Sequence, residues 1–395
     1  MHILMISDVY FPRINGVSTS IETFRAGLDA EDVRVTLVAP DYNNAESEAS
    51  QEASQTTKTE QDIVRLPARA IPFDPEDRLM HGKHLRNLHT TLEDNRFDLI
   101  HIQTPFAAHY TGLRLAKQRK IPCIATYHTH FEEYFHHYLP VLPRPLTRGM
   151  TRHLARSQCN ALDAVIVPSS AMHTALRDYG VTTPMHVLPT GIPLTQFAPA
   201  SKNNGFRSKH GLPTDRPLAL FVGRVAHEKN LHFLLEAMQH ALTLTPRIAL
   251  VIAGEGPALN SLKKAVAQLG MEKDVFFLGY LDRQQELPLC YAAADLFVFP
   301  SVTETQGLVL LEAMAAGLPV LGIPAMGAAD ILGPQQGAVC APHEKRGFGQ
   351  LMAELLGNPE RLAKLTTEGR EFAQTWGAPE RARQLAHLYR QIISQ

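Results

Sequence analysis

Three stretches in the second half of the chain join an apolar run to a helix-like segment through residues that suit an anion. In Leu220-Phe-Val-Gly-Arg224-Val-Ala-His-Glu228-Lys229-Asn230 a strand-like run ends at a glycine. Two cations then stand five residues apart, before a helix that Asn230 is placed to cap. A guanidinium takes phosphate oxygens in pairs and an ammonium adds a compact charge, so Arg224 and Lys229 can grip one diphosphate. The plainer alternative is two solvated loop cations. Val251-Ile-Ala-Gly254-Glu-Gly256-Pro257 repeats the strand-to-helix junction, and by itself this GxG reads as a tight turn. The third stretch, Phe297-Val-Phe-Pro300-Ser301-Val-Thr-Glu304-Thr305-Gln306-Gly307-Leu308, predicts a helix starting near Gln306. The N–H groups around Gly307 to Val309 then face an anion, and the glycine admits its close approach.

Glu304 and Glu312 bracket that helix start with seven residues between them. Carboxylates accept from sugar and ribose hydroxyls, so the pair can divide a sugar and a ribose between them. The other reading makes Glu304 a helix-start acid favoured by the dipole and Glu312 an exposed helical acid.

The elements that must position these groups alternate in type. Apolar runs at Ile3–Ile6, Arg34–Val38, Leu99–Ile102, Cys123–Tyr127 and Ala164–Val167 are separated by helical segments, which predicts a parallel sheet with crossover helices. After Leu188-Pro-Thr-Gly-Ile-Pro193 the pattern restarts with Leu218–Val222, Ala249–Ala253, Val275–Phe277, Leu296–Phe299 and Pro319–Leu321. Two α/β domains follow, at residues 1–190 and 191–376, and 395 residues suffice for both. From Pro379 to Ile393, Ala382, Leu385, Leu388, Tyr389 and Ile392 recur at helical spacing, which predicts that residues 377–395 pack back on the first domain. Residues 43–62 are polar and aperiodic and read as a loop without chemistry.

Charge and cysteine usage exclude some classes. Lys and Arg number 38 against 39 Asp and Glu, so no global field draws nucleic acid or an anionic membrane, and any anion site must be local. Cys123, Cys159, Cys290 and Cys340 show no CxxC pair, which argues against structural zinc and a disulfide framework and for a reducing cytoplasm. The Met1–Asp8 run is strand-length without a basic region, neither signal peptide nor anchor, and nothing else approaches a spanning length.

Gly223-Arg224 with Glu228-Lys229-Asn230, Gly254-Glu255-Gly256-Pro257, Phe277-Leu-Gly279-Tyr280, Pro300-Ser301 and the Glu304/Glu312 pair resemble the donor-binding signature of the large retaining glycosyltransferase family with the GT-B fold, of the family 4 type. The resemblance implies two Rossmann-like domains facing a cleft, and a nucleotide-sugar donor, a UDP-hexose, used without metal or cofactor. It implies that Arg224 and Lys229 hold the diphosphate, Glu312 the ribose and Glu304 the sugar hydroxyls, with the base beside Gly279-Tyr280. Gly254, Thr305, Gln306, Gly307 and Leu308 complete the implied donor set. In the first half, Phe11-Pro-Arg-Ile-Asn15-Gly16-Val17 resembles the family's phosphate and acceptor loop, with Gly16 toward the donor. Ala125-Thr-Tyr127-His128-Thr129 resembles the segment whose histidine points at the transferred sugar. One departure is Ile323-Pro-Ala-Met-Gly327-Ala-Ala-Asp330, where the family has Gly-Gly and then Glu. No ligand contact is assigned to Asp330.

The run from Thr126 to Pro140 and Asn15-Gly-Val-Ser-Thr-Ser-Ile21 are similar to bacterial diacylglycerol glucosyltransferases of this family, which implies a membrane-associated acceptor and contacts from Asn15 and Tyr134. Arg144, Arg148, Arg152 and Arg156 recur every four residues, so a helix over Leu146–Ser157 carries a basic stripe suited to an anionic membrane surface on the cytoplasmic side. A solvated helix face, or a phosphorylated, polyprenyl-linked or saccharide acceptor of exopolysaccharide or lipopolysaccharide synthesis, stands beside it. Two other classes compete: a metal hydrolase built on His128, His130, Glu132, Glu133, His136 and His137, whose spacing matches no HExxH motif, and an epimerase on the same architecture.

Overall fold

The computed structural model describes residues 1–42, 62–71, 74–128, 144–198 and 200–395, with the backbone alone for 71, 74–77 and 144–148. The chain folds as two units, Met1–Gly191 with Ala378–Gln395, and Ile192–Gly377.

The strands of the first unit are β1 (His2–Ile6), β2 (Arg34–Pro40), β3 (Ile63–Leu66), β4 (Ala68–Ile71), β5 (Asp74–Met80), β6 (Leu99–Ile102), β7 (Cys123–Thr126), β8 (Ala164–Val167) and β9 (Met185–Val187). Seven of them form one parallel sheet in the order β3-β2-β1-β6-β7-β8-β9, and β4 and β5 pair as an antiparallel ribbon. Central strands are buried on both faces, which is why their sequences are continuously apolar. The helices Gly16–Leu28 and Ala378–Ile393 lie against this sheet, and Ile21, Phe24 and Leu28 share a core with Leu385, Leu388, Tyr389 and Ile392. A Cβ on Gly27 would lie 2.5 Å from Ala382 Cβ, so the glycine sets how closely the C-terminal helix crosses. Burying each large apolar side chain is worth about 2 kcal/mol, and the four from the C-terminal helix bind it firmly to this unit.

The second unit holds β10 (Leu218–Val222), β11 (Ala249–Ala253), β12 (Val275–Gly279), β13 (Leu296–Phe299), β14 (Val320–Gly322) and β15 (Ala338–Cys340), all parallel, in the order β12-β11-β10-β13-β14-β15. Both units are Rossmann-like, each a parallel sheet wound in two directions from its middle. The sequence reading missed β3, β9 and β15, all at sheet edges, where a strand of three or four residues leaves too little apolar sequence to mark it. Among the described residues no helix is long and apolar enough to cross a membrane.

Candidate functional site

In the second unit the strand order reverses between β10 and β13, and the loops leaving their carboxyl ends flank the switch point at which open α/β sheets take their ligands. Those two loops carry Arg224 to Asn230 and Pro300 to Gly307. They are stapled together: Lys229 Nζ lies 2.5 Å from Glu304 Oε2, Asn230 Nδ2 donates to Pro300 O at 3.1 Å, and Thr303 Oγ1 donates to Glu228 O at 3.2 Å. Arg224 Nη1 lies 3.8 Å from Glu228 Oε1. Two cations and one of the predicted carboxylates therefore meet at the switch point. Asn230 departs from expectation: it precedes the helix Leu231–Leu244 in the left-handed region, φ 59°, and makes no capping bond. Its amide is spent on Pro300.

The second helix start also differs in detail. It falls at Leu308, two residues later than expected, because Gly307 turns left-handed at φ 90° and its carbonyl accepts from Leu310 N at 3.0 Å. The first N–H groups of such a helix have no partner within it, and its first turn contains no acid to occupy them. Gln306 beside them is buried.

Close backbone approach explains most of the glycines here. A Cβ on Gly254 would stand 2.0 Å from Gly223 O, and one on Gly256 would stand 2.4 Å from Val225 O. Val225 N donates to Glu255 O at 2.8 Å and Ala258 N to Val225 O at 3.0 Å, so the GxG segment clamps the loop bearing Arg224. That clamp comes in addition to the turn that the sequence predicts at this GxG. Gly327 does the same for the other loop: its N–H donates to Glu304 O at 2.8 Å, and a Cβ would fall 1.8 Å from Thr305 O. The sequence departure at 323–330 thus still supplies the glycine that fixes Glu304.

Glu312 is not an exposed helical acid; it is 1% exposed. Its Oε1 is paired with Arg283 Nη2, and its Oε2 accepts from Tyr291 OH at 3.1 Å. Arg283 in turn stands 5.8 Å over the Phe197 ring. Sequence reasoning missed Arg283 and Tyr291. The only signal was a cation three residues past Tyr280, which is itself exposed at the end of β12.

The first unit reverses between β1 and β6. There Asp8 accepts from Thr104 Oγ1 at 2.7 Å and from Ala108 N at 3.1 Å, at the start of the helix Ala107–Arg119. Burial raises its pKa to about 6 against those hydrogen bonds. His128 lies just past β7 with Nε2 2.9 Å from Gln103 Oε1, and burial lowers its pKa to about 4. Gly16 opens the helix Gly16–Leu28, and among the described residues a Cβ there would meet nothing within 4 Å. Asn15, expected near the acceptor, caps that helix: its Oδ1 accepts from Ser18 N at 2.9 Å.

Tyr134 and His130 to His137 lie outside the described residues, and His128 holds Gln103 through Nε2. Among the described residues no group of three or more His, Cys, Asp or Glu is arranged to hold a metal. The basic stripe falls on the helix Arg144–Cys159, with Arg152 stacked 5.1 Å over the Tyr179 ring. The side chains of Arg144 and Arg148 are outside the described set.

Two doubly wound units, each with polar groups at its switch point, define the GT-B class of nucleotide-sugar enzymes. The chain belongs to the family 4 type of glycosyltransferases: the model for Glycosyltransferase Family 4 matches residues 14–196 and that for Glycosyl transferases group 1 matches residues 203–372. Alpha-monoglucosyldiacylglycerol synthase of Streptococcus pneumoniae is 34% identical over 330 residues, covering 81% of this chain and 70% of the relative. A GDP-mannose-dependent alpha-mannosyltransferase of Corynebacterium glutamicum is 28% identical over 334 residues, covering 84% of this chain and 74% of the relative. Among solved structures, sucrose-phosphate synthase from Thermosynechococcus elongatus superposes with a TM-score of 0.80 at 22% identity, covering 100% of this chain and 99% of that one. The hydrolase alternative finds no support among these proteins.

Proposed function

We propose that this glycosyltransferase moves a hexose from a UDP-sugar to a membrane-associated lipid of the diacylglycerol type, retaining the anomeric configuration and using no metal. What carries the donor half is the convergence of Arg224, Lys229 and the Leu308 helix start on one switch point. A departing diphosphate gains negative charge, and fixed cations with unpaired N–H groups stabilise it most in the transition state. Lys229 is now held by Glu304; donor binding places the diphosphate on the cation and frees the carboxylate for sugar hydroxyls. Glu312, anchored by Arg283 and Tyr291, retains lone pairs for the ribose. His128 is neutral at pH 7 and offers the sugar a hydrogen bond rather than a charge. The acceptor hydroxyl attacks the anomeric carbon on the leaving-group face and passes its proton to the donor phosphate. Gly16 matches the same reading, since packing among the described residues gives no reason for a missing side chain there.

The lipid acceptor rests on the Streptococcus relative and on a surface in the first unit. Met150 and Leu154 are exposed on the Arg144–Cys159 helix, and Gln158 Nε2 ties that helix to Pro105 O at 2.8 Å. Next to that contact, Phe106 and Tyr110 are 58% and 60% exposed, apolar groups that the sequence reading did not single out. A helix bearing arginines together with exposed apolar side chains suits an anionic headgroup layer, which supports a peripheral position on the cytoplasmic membrane face. The test is mass spectrometry of lipid products after incubation with UDP-glucose, UDP-galactose or GDP-mannose and diacylglycerol in anionic vesicles, with and without chelator. A monohexosyl diacylglycerol from a UDP-hexose, undiminished by chelator, is expected. Product from GDP-mannose alone, or transfer only to a soluble saccharide, would replace the donor or the acceptor named here.

A further inference from the structure

A buried polar chain links the C-terminal helix to β7, the strand that leads to His128. His101 is the polar residue of β6, buried between Ile100 and Ile102, and it pairs with Ile124 of the neighbouring β7. Its Nδ1 lies 2.6 Å from the hydroxyl of Tyr389, and its Nε2 lies 2.7 Å from Thr126 Oγ1. Tyr389 is fully buried on the helix Ala378–Ile393. Thr126 is the last residue of β7, two before His128, and Gln103, two beyond His101, contacts His128 Nε2. A histidine on a strand of a parallel sheet sacrifices apolar burial, so two satisfied ring nitrogens are the condition for keeping it there. Neutral imidazole has one donor and one acceptor nitrogen, so the proton positions run in a single direction from Tyr389 to Thr126 or back.

We propose that Tyr389, His101 and Thr126 are positioning residues for glycosyl transfer: through two hydrogen bonds the C-terminal helix fixes the end of β7 and thereby the ring of His128. The inference rests on the reading that His128 faces the transferred sugar. The C-terminal helix is then part of the transfer machinery of the first unit as well as a cover for its sheet. Removing a hydroxyl from the chain leaves the apolar packing intact and loosens His128, which slows the chemical step without changing donor binding.

The experiment is a double-mutant cycle on the full chain, with kcat and donor KM measured for Tyr389→Phe, Thr126→Val, His128→Ala and the pairwise combinations, and melting curves for each. Tyr389→Phe and Thr126→Val are each expected to lower kcat about fivefold with donor KM within about twofold. In the His128→Ala background the same changes are expected to alter kcat by no more than about 1.5-fold, because they act through that ring. Wild-type kcat in His128→Ala alone sinks the reading of His128 itself. A slow His128→Ala enzyme beside fully active Tyr389→Phe and Thr126→Val overturns only the positioning role. So does an equal loss from Tyr389→Phe in both backgrounds, which is what a merely structural tyrosine would give. Should Tyr389→Phe fail to fold, Thr126→Val carries the same cycle.

Discussion

Lys229 and Glu304 hold each other 2.5 Å apart across the switch point of the second unit, each half-buried. A cation so placed is worth more to a leaving diphosphate than one in water, because the surrounding protein lowers the effective dielectric constant. Arg224→Ala or Lys229→Ala is therefore expected to lower kcat/KM at least about tenfold, the equivalent of ~1.4 kcal/mol, in steady-state transfer assays. Full activity in both variants would remove them from the site. The two carboxylates separate differently. Glu312→Gln keeps the volume beneath Arg283 and Tyr291 and is expected to weaken nucleotide binding about tenfold by calorimetry, whereas Glu304→Gln lowers kcat with nucleotide affinity within about twofold. Equal losses of affinity would refute that division. At this scale Arg224, Lys229 and Glu304 were legible because strand ends and a helix start flank them in sequence. The Arg283–Glu312 pair was not, since its members are 29 residues apart and only folding makes one of them buried.

Between residue and unit, the loops are shaped by glycines of two kinds. Gly327 lies where a Cβ would collide with backbone, 1.8 Å from Thr305 O. Gly327→Ala must displace the Glu304 loop and is expected to cost about 3 kcal/mol or more of stability, together with activity. Gly16→Ala meets nothing among the described residues and replaces glycine at a helix start, so its melting temperature should stay at or slightly above that of the wild type. Its transfer rate is nevertheless expected to fall, the outcome that the proposed donor contact at Gly16 requires. A Gly16→Ala enzyme with normal kcat/KM would mean the glycine serves no ligand. Apolar runs announced the central strands of both sheets and helical spacing announced the C-terminal helix. The clamping role of the GxG segment was not legible, because the backbone it packs against, at Gly223 and Val225, lies on another strand's loop.

For the whole molecule, pH and membrane each supply a test. Burial holds His101 at about 3 and His109 and His128 at about 4, so all three are neutral when folded and take up protons near pH 6.5 only when unfolded. Their contribution to stability is full above pH 6.5 and is lost as the pH falls toward 4. Asp8, raised to about 6, works the other way below that value, one group against three. The melting temperature of the full chain is thus expected to drop steadily from pH 7 to pH 5, and a flat profile would contradict the burial of these rings. In vesicle co-sedimentation the wild type is expected to bind anionic but not neutral vesicles, with Arg148→Glu/Arg152→Glu and Phe106→Ser/Tyr110→Ser each weakening it. The overall organisation was legible because two doubly wound sheets repeat one simple pattern, while the proposed membrane-facing surface was only half legible, since Phe106 and Tyr110 become a surface feature through packing. The most direct measurement of the central claim is the proton NMR spectrum of the lipid product made from an α-linked UDP-hexose. We expect an anomeric proton with the small coupling of an α-hexoside on diacylglycerol; the large coupling of a β-hexoside, or no hexosylated lipid at all, would contradict the account.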